Sequence, residues 1–133
     1  MLPEFKHVIF CDDIRTEDNG KKILIGFYTG ALVTETFPFG GKIAILIIAD
    51  SFAGGESVAV EVRLKSGAKI AELVADIPLP PVQIVGGNGY LELAVPLMLS
   101  AEDVLEVRAG PAPDKLSTIG SLPIVRATLP AAP

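Results

Sequence analysis

The stretch IAILIIADSFAGGESVAVEVRLK, residues 43–65, decides the fold class of this chain. Its first seven residues, 43–49, are all apolar and do not alternate with polar ones. We therefore expect a central strand whose two faces are both covered, either by a second sheet and a loop or by another subunit. Residues 58–65 alternate instead, with Val or Leu at every second position and mostly charged side chains between them. That period of two predicts a strand with one buried face and one solvated face.

Turn signals divide the rest of the chain into short segments of the same kind. The 13 glycines and 11 prolines fall mostly between apolar runs, and no long helical period interrupts the pattern. We predict an all-β fold, a two-layer antiparallel β-sandwich of about seven to nine strands with immunoglobulin-like or C2-like topology and little helix. Residues 1–126 are expected to form a single domain, followed by an uncharged C-terminal tail at 127–133.

The pair Asn19-Gly20 predicts the first hairpin, because a type I′ turn needs two residues that tolerate positive φ. A two-residue loop at this pair sets the flanking acidic and basic residues opposite each other: Asp18 with Lys21, and Glu17 with Lys22. Opposite charges at facing strand positions stabilise a hairpin, so the charge pattern supports this register.

Two further hairpins are predicted. Gly67-Ala68 suits a type II′ turn, and the register that it implies sets Arg63 opposite Glu72. Residues 69–76 also have the apolar spacing of a short helix, so strand and helix both remain open there. The Asn88-Gly89 pair predicts the third hairpin.

The chain contains more apolar residues than a typical globular domain. They make up 50% of the sequence before its 13 glycines are counted. Glu92 is the only charged residue between positions 77 and 101. Such a neutral stretch indicates either an apolar interface or two strands covered on both faces, and both interpretations remain open. We therefore expect a homo-oligomer or a protein partner.

Charge and hydropathy argue against other partners. The formal net charge is −5, whereas binding to a nucleic-acid backbone requires clustered Lys and Arg. The longest β-branched apolar run, 43–49, is far shorter than the about 20 residues of a membrane-spanning helix, and the apolar stretch near the N-terminus is too short for a secretory signal. The only cysteine, Cys11, cannot form an internal disulfide, which fits a reducing compartment. We expect a cytoplasmic protein that binds neither nucleic acid nor membrane.

Few side chains are available for catalysis. The chain has one histidine, His7, and one cysteine, Cys11. Residues four apart on a regular strand are separated by roughly 13 Å, too far for the hydrogen bond of a catalytic Cys–His pair. One residue of each type is also too few for a zinc site. We therefore expect neither an enzyme nor a bound cofactor.

Acidic residues cluster near one end of the first hairpin, at Asp12, Asp13, Glu17 and Asp18. Calcium takes oxygen ligands, and Asp-rich loops of C2-type β-sandwiches bind it. Asp12 and Asp13, joined by a loop acid such as Asp50, are therefore candidate metal ligands, and a calcium-binding C2-like domain is the alternative function. Consecutive residues of a strand point to opposite faces, however, so a structural role for these acids is the competing interpretation.

The segment Phe10-Cys11-Asp12-Asp13-Ile14-Arg15, followed by Gly20-Lys21 and Leu24-Ile25-Gly26-Phe27-Tyr28, resembles the opening of a family of small bacterial and phage proteins of unknown function. After about the first 30 residues the likeness consists of strand spacing and the ending Ile119-Gly120-Ser121-Leu122. The resemblance implies a β-sandwich and assigns no catalytic residue. It also implies that Cys11-Asp12-Asp13 and Gly26 matter to the fold, since an acid beside a core strand can accept loop hydrogen bonds and a strand glycine admits close packing.

Overall fold

All regular structure in the described part of the chain is β-strand. The computed structural model describes residues 4–50, 57–67, 69–76 and 89–127. This confirms the all-β prediction, and residues 69–76 form a strand rather than a helix. None of the described residues belongs to a helix that could cross a membrane. The described residues form ten strands: β1 (Glu4–Cys11), β2 (Asp13–Thr16), β3 (Lys22–Ile25), β4 (Leu32–Thr34), β5 (Phe39–Asp50), β6 (Ser57–Leu64), β7 (Lys69–Asp76), β8 (Gly89–Leu99), β9 (Asp103–Gly110) and β10 (Ser117–Arg126).

Two sheets face each other across one core. One has three strands in the order β1-β5-β8, and the other has five in the order β4-β10-β9-β6-β7. The β10–β4 pair is parallel and the other described pairs are antiparallel. Alternate side chains of both sheets point into the space between them and form one cluster, as in a two-layer sandwich. Its fully buried large members are Ile43, Ile45, Ile47, Leu99, Leu105, Ile124, Val58, Val60, Val62, Val95 and Val107.

β5 is covered on both faces, as its sequence predicts. Ile43, Ile45 and Ile47 point into the core and are at most 1% exposed. Ala44 and Leu46 lie on the opposite face, where each is only 7% exposed. β2 and β3 form a separate two-stranded sheet, and β2 contacts β5. This small sheet supplies the second cover.

The first hairpin forms at the predicted place but with a different turn. The N–H of Gly20 donates to the carbonyl of Glu17 at 2.9 Å, and the N–H of Glu17 donates to the carbonyl of Lys21 at 2.8 Å. Gly20 has φ +88°. This is a three-residue loop, in which a type I turn is followed by a left-handed glycine, and not a type I′ turn. The predicted pairs Asp18–Lys21 and Glu17–Lys22 are therefore wrong.

The longer loop moves the register by one residue. Lys22 lies opposite Thr16. A shift of one residue turns the side chains of a strand to the other face relative to its partner. Lys22 and Leu24 are consequently half-buried, whereas Ile23 and Ile25 point away from the sandwich.

The hairpin between β6 and β7 is also present, with a register that differs from the prediction. The N–H of Gly67 closes its turn by donating to the carbonyl of Leu64 at 2.9 Å. Glu72 lies opposite Glu61, and beyond a bulge Arg63 lies opposite Lys69, so the predicted pair of Arg63 with Glu72 is wrong. The guanidinium of Arg63 instead lies 3.5 Å from the carboxylate of Glu106 on β9.

β8 accounts for part of the neutral stretch. Leu91, Val95, Leu97 and Leu99 of this strand belong to the core. Tyr90 and Met98 point outward and are exposed. β8 therefore has one covered face and one exposed face. Residues 77–88 lie outside the described residues, and with them the first residue of the turn predicted at Asn88-Gly89.

Candidate interaction surface

The β2–β3 hairpin, called the ribbon below (residues 13–25), lies against the outer face of the three-stranded sheet. Lys22 attaches it. The Lys22 Nζ lies 2.5 Å from Oε1 of Glu92 on β8, donates to Oγ1 of Thr16 at 2.7 Å, and lies 5.1 Å from the ring centre of Tyr90. The hydrogen bond to Glu92 raises the pKa of Lys22 in spite of the opposing effect of desolvation. Lys22 therefore holds the ribbon to the sheet through its contacts with Glu92 and Tyr90.

The inner face of the ribbon covers apolar side chains of β1 and β5. Cys11 is fully buried, and its Sγ donates to the carbonyl of Ala44 at 3.7 Å. Burial is the main cause that raises the pKa of this thiol, so it is not a ready thiolate nucleophile. Ala44 and Leu46 are the buried residues of the same face on β5. Packing of the ribbon thus removes this face from solvent.

The outer face of the ribbon is half apolar and half charged. Ile23 and Ile25 of β3 are 41% and 40% exposed. They lie opposite Arg15 and Asp13 of β2, respectively. The Arg15 Nε lies 3.2 Å from Oδ2 of Asp13, and this hydrogen bond lowers the pKa of the Asp13 carboxyl. One strand therefore presents two isoleucines, and the other presents one negative and one positive charge.

This surface was not predicted from the sequence because it depends on the register of the hairpin. The type I′ loop pairs Lys22 with Glu17, whereas the observed loop sets Lys22 opposite Thr16. The segment Asp18-Asn19-Gly20 also fits a three-residue loop with glycine in the left-handed third position. Gly20 fits both loops, however, so this local signal does not decide which face of β3 is exposed.

Asp12 and Gly26 join the ribbon to the sandwich. The N–H of Asp12 donates to the carbonyls of Ile25 at 2.8 Å and Gly26 at 3.1 Å. The Tyr28 hydroxyl donates to Oδ1 of Asp12 at 2.6 Å, and the Tyr28 N–H donates to the carbonyl of Phe10 at 2.9 Å. Gly26 has φ +69°, and a Cβ at this position would overlap the Asp12 carboxylate. Both residues therefore have a structural role at the junction.

Removal of the Tyr28 hydroxyl is expected to change how stability depends on pH. Burial and the hydrogen bond to Asp12 raise the pKa of Tyr28 to about 12, from about 10 in an unfolded chain. Between these values the folded state holds a proton that the unfolded state releases. This contribution to stability is therefore complete below about pH 10 and is lost as the pH rises toward about 12.

The test is urea unfolding of the wild type and of Tyr28→Phe at several pH values. At about pH 8 the variant is expected to be less stable by about 1 kcal/mol, because the Asp12 carboxylate loses a hydrogen bond. Between about pH 10 and 12 the stability of the wild type should fall more steeply than that of the variant. Equal slopes for the two proteins would contradict the assignment.

The structure separates the candidate calcium ligands along β5. Asp12 and Asp13 follow Cys11, which pairs with Ala44. Asp50 is six residues further along β5 than Ala44, at the other end of the β1–β5 pair. Six strand residues span about 20 Å. The backbone therefore brings Asp12 and Asp13 near each other and sets Asp50 apart from both.

Asp12 and Asp13 already have partners within the chain. Asp12 accepts the hydroxyl of Tyr28, and Asp13 accepts hydrogen bonds from Arg15 and from the N–H of Ile14. Where side chains are described, no group of three His, Cys, Asp or Glu residues forms a possible metal site. The contacts observed for these acids thus agree with the structural interpretation of the cluster.

His7 and Cys11 have different surroundings on β1. His7 is exposed and lines a groove of about 430 Å³ beside the strand, together with Phe27, Tyr28 and Leu122. Cys11 lies buried on the face that the ribbon covers. The four-residue separation along one strand corresponds to roughly 13 Å. The two side chains are therefore not arranged as a nucleophile and its base.

Comparisons with known proteins do not bear on function, so the function is inferred from this surface. The sequence matches no model of a known protein family and no curated protein. The resemblance of residues 10–28 to small bacterial and phage proteins remains a prediction.

Proposed function

We propose that this chain is a non-catalytic interaction module that self-associates through apolar sheet surface, and that the outer face of the ribbon is the surface concerned. The observation that carries the proposal is the reversed orientation of β3. Its lysine, Lys22, points toward the sandwich with a side chain only 23% exposed, while Ile23 and Ile25 point outward. A strand with one solvated face normally directs its polar residues to solvent.

The reversal indicates a second contact on the outer face. Adjacent exposed isoleucines gain hydrophobic stabilisation when a partner removes them from water, at about 25 cal/mol per Å² of apolar area. The inner face of the ribbon is already engaged by Glu92 and Tyr90 of β8. Only the outer face of the ribbon is then left for a partner. The module is proposed as non-catalytic because its single histidine and its single, buried cysteine are not in reach of each other.

The exposed isoleucines are expected to drive association that a polar substitution removes. Sedimentation velocity of the wild type from about 10 µM to about 1 mM should show a concentration-dependent rise in the average sedimentation coefficient. The variant Ile23→Thr/Ile25→Thr should sediment as a monomer over the same range. Threonine keeps the β-branched shape that suits a strand, so the variant is expected to stay folded.

Exposed apolar residues elsewhere provide the matched controls. Val33 on β4 and Met98 on β8 are 58% and 79% exposed. Val33→Thr and Met98→Gln also make exposed apolar positions polar, and both variants should associate like the wild type. A wild type that remains monomeric at every concentration would reject the proposal, and so would a loss of association in the two controls but not in the ribbon variant.

A further inference from the structure

We propose that the ribbon's outer face binds the same face of a second copy of this chain, through a two-fold axis that lies in the interface and runs across the strands. The inference rests on the proposed function and specifies its partner and geometry. It is carried by four side chains that the hairpin register places on one face, Asp13, Arg15, Ile23 and Ile25. The two isoleucines are exposed, and the side chains of Arg15 and Asp13 are 70% and 41% exposed.

These four residues occupy the corners of a rectangle. Asp13 lies opposite Ile25, and Arg15 lies opposite Ile23. Residues two apart on a strand are separated by about 6.6 Å, and neighbouring strands by about 5 Å. The long edges of the rectangle are therefore a charged edge on β2 and an apolar edge on β3. The short edges each join one charge to one isoleucine.

A symmetric dimer requires a surface that is complementary to itself. An axis across the strands reverses the direction of each strand but keeps β2 over β2 and β3 over β3. It sets Asp13 against the partner's Arg15, and Arg15 against the partner's Asp13. On the other edge, Ile23 meets the partner's Ile25. The four charges then alternate in sign around a square, and the isoleucines form one apolar row.

The other in-plane axis, parallel to the strands, gives no such match. It sets Asp13 against the partner's Ile25, and Arg15 against the partner's Ile23. Each charge would then lose water to an apolar side chain without gaining an opposite charge, which is unfavourable. The charge pattern therefore selects one of the two symmetric arrangements.

The interface formed by two four-residue strands is small. Stable complexes bury about 1,200–2,000 Å², and smaller interfaces belong to weak or transient complexes. We therefore expect a weak dimer. Because the ion pairs are near the surface, added salt should weaken it further.

Charge exchange between Asp13 and Arg15 tests the arrangement. Asp13→Arg makes both positions positive, and Arg15→Asp makes both negative. Each single variant should lose self-association by about tenfold or more, since attractive pairs are replaced by repulsive ones. An equimolar mixture of the two variants should form a heterodimer, and the double variant Asp13→Arg/Arg15→Asp should associate like the wild type. Far-UV circular dichroism and thermal melting of each variant check that it is folded.

The outcomes separate this inference from the proposed function. Recovery of association in the mixture and in the double variant would support the two-fold arrangement, because misfolding of a single variant cannot produce it. A wild type that associates while both single variants associate equally well would reject the arrangement but leave self-association standing. A mixture of folded variants that stays monomeric would also reject it. A wild type that stays monomeric would reject both.

Discussion

Replacing Ile45 with alanine is expected to lower the free energy of unfolding by about 2–5 kcal/mol. Ile45 lies on the middle strand of the three-stranded sheet, faces the core and is 0% exposed. It pairs with Phe10 on one side and Leu93 on the other. The substitution deletes three buried carbon atoms and leaves a cavity between the two sheets. The surrounding side chains can fill it only in part, because they are already closely packed.

Urea denaturation measures this loss, and Met98→Ala is the control. Met98 lies on β8 of the same sheet but is exposed, so its truncation is expected to change stability by no more than about 0.5 kcal/mol. If Ile45→Ala had as small an effect as Met98→Ala, the assignment of β5 to the centre of the core would be wrong.

Replacing Gly26 with alanine is expected to lower the free energy of unfolding by about 2–3 kcal/mol. Part of the loss is conformational, because a residue with a Cβ is less stable by about 1–2 kcal/mol at the left-handed φ of +69°. The rest arises because the new methyl group overlaps the carboxylate of Asp12. Asp12 must then move and give up its hydrogen bond from Tyr28, a bond worth about 1 kcal/mol.

Gly20→Ala separates the two causes. Gly20 also has a left-handed φ, +88°, but a Cβ at this position would meet nothing within 4 Å. Its substitution should therefore cost only the conformational part, about 1–2 kcal/mol. Equal losses in the two variants would show that the overlap with the Asp12 carboxylate costs nothing, and would contradict the close packing of Gly26 on Asp12.

The sandwich could be predicted because the spacing of apolar residues along each strand reflects which of its faces pack on the core. The alternation over residues 58–64 shows which face of β6 packs on the core. The solvated face predicted for this strand is wrong, however, because Ala59 and Glu61 on that face are only 3% and 8% exposed. The unbroken apolar run over 43–49 shows that both faces of β5 are covered. Such core-facing positions can be predicted from the pattern of apolar residues alone. The prediction does not require the strand order, which the local pattern does not contain.

The registers of the hairpins could not be predicted in the same way. Asn19-Gly20 marks the position of the turn, but two-residue and three-residue loops both fit it, and the difference of one residue decides which face of β3 is exposed. The opposite charges of Glu17 and Lys22 favoured the wrong, two-residue loop. The carboxylate partner of Lys22 is in fact Glu92 on β8, outside the hairpin. That contact joins residues 70 positions apart and leaves no local signal.

The candidate surface was missed for the same reason. The neutral stretch 77–101 suggested an interface because of its composition, but β8 buries alternate residues of its described part in the core. Ile23 and Ile25 point outward but lie in a segment rich in charged residues. The composition of this segment therefore gives no sign of an exposed apolar surface. Only the packing of the ribbon on the sheet distinguishes Ile23 and Ile25 from core residues.

A dilution series followed by amide NMR spectra of nitrogen-labelled protein tests the central claim most directly. If the outer face of the ribbon is the self-association surface, dilution from about 1 mM to about 10 µM should move the amide signals of β2 and β3 along saturating curves that share one dissociation constant. The signals of β8, including Met98, should stay in place. Shifts confined to β8, or spectra that do not change with concentration, would contradict the account.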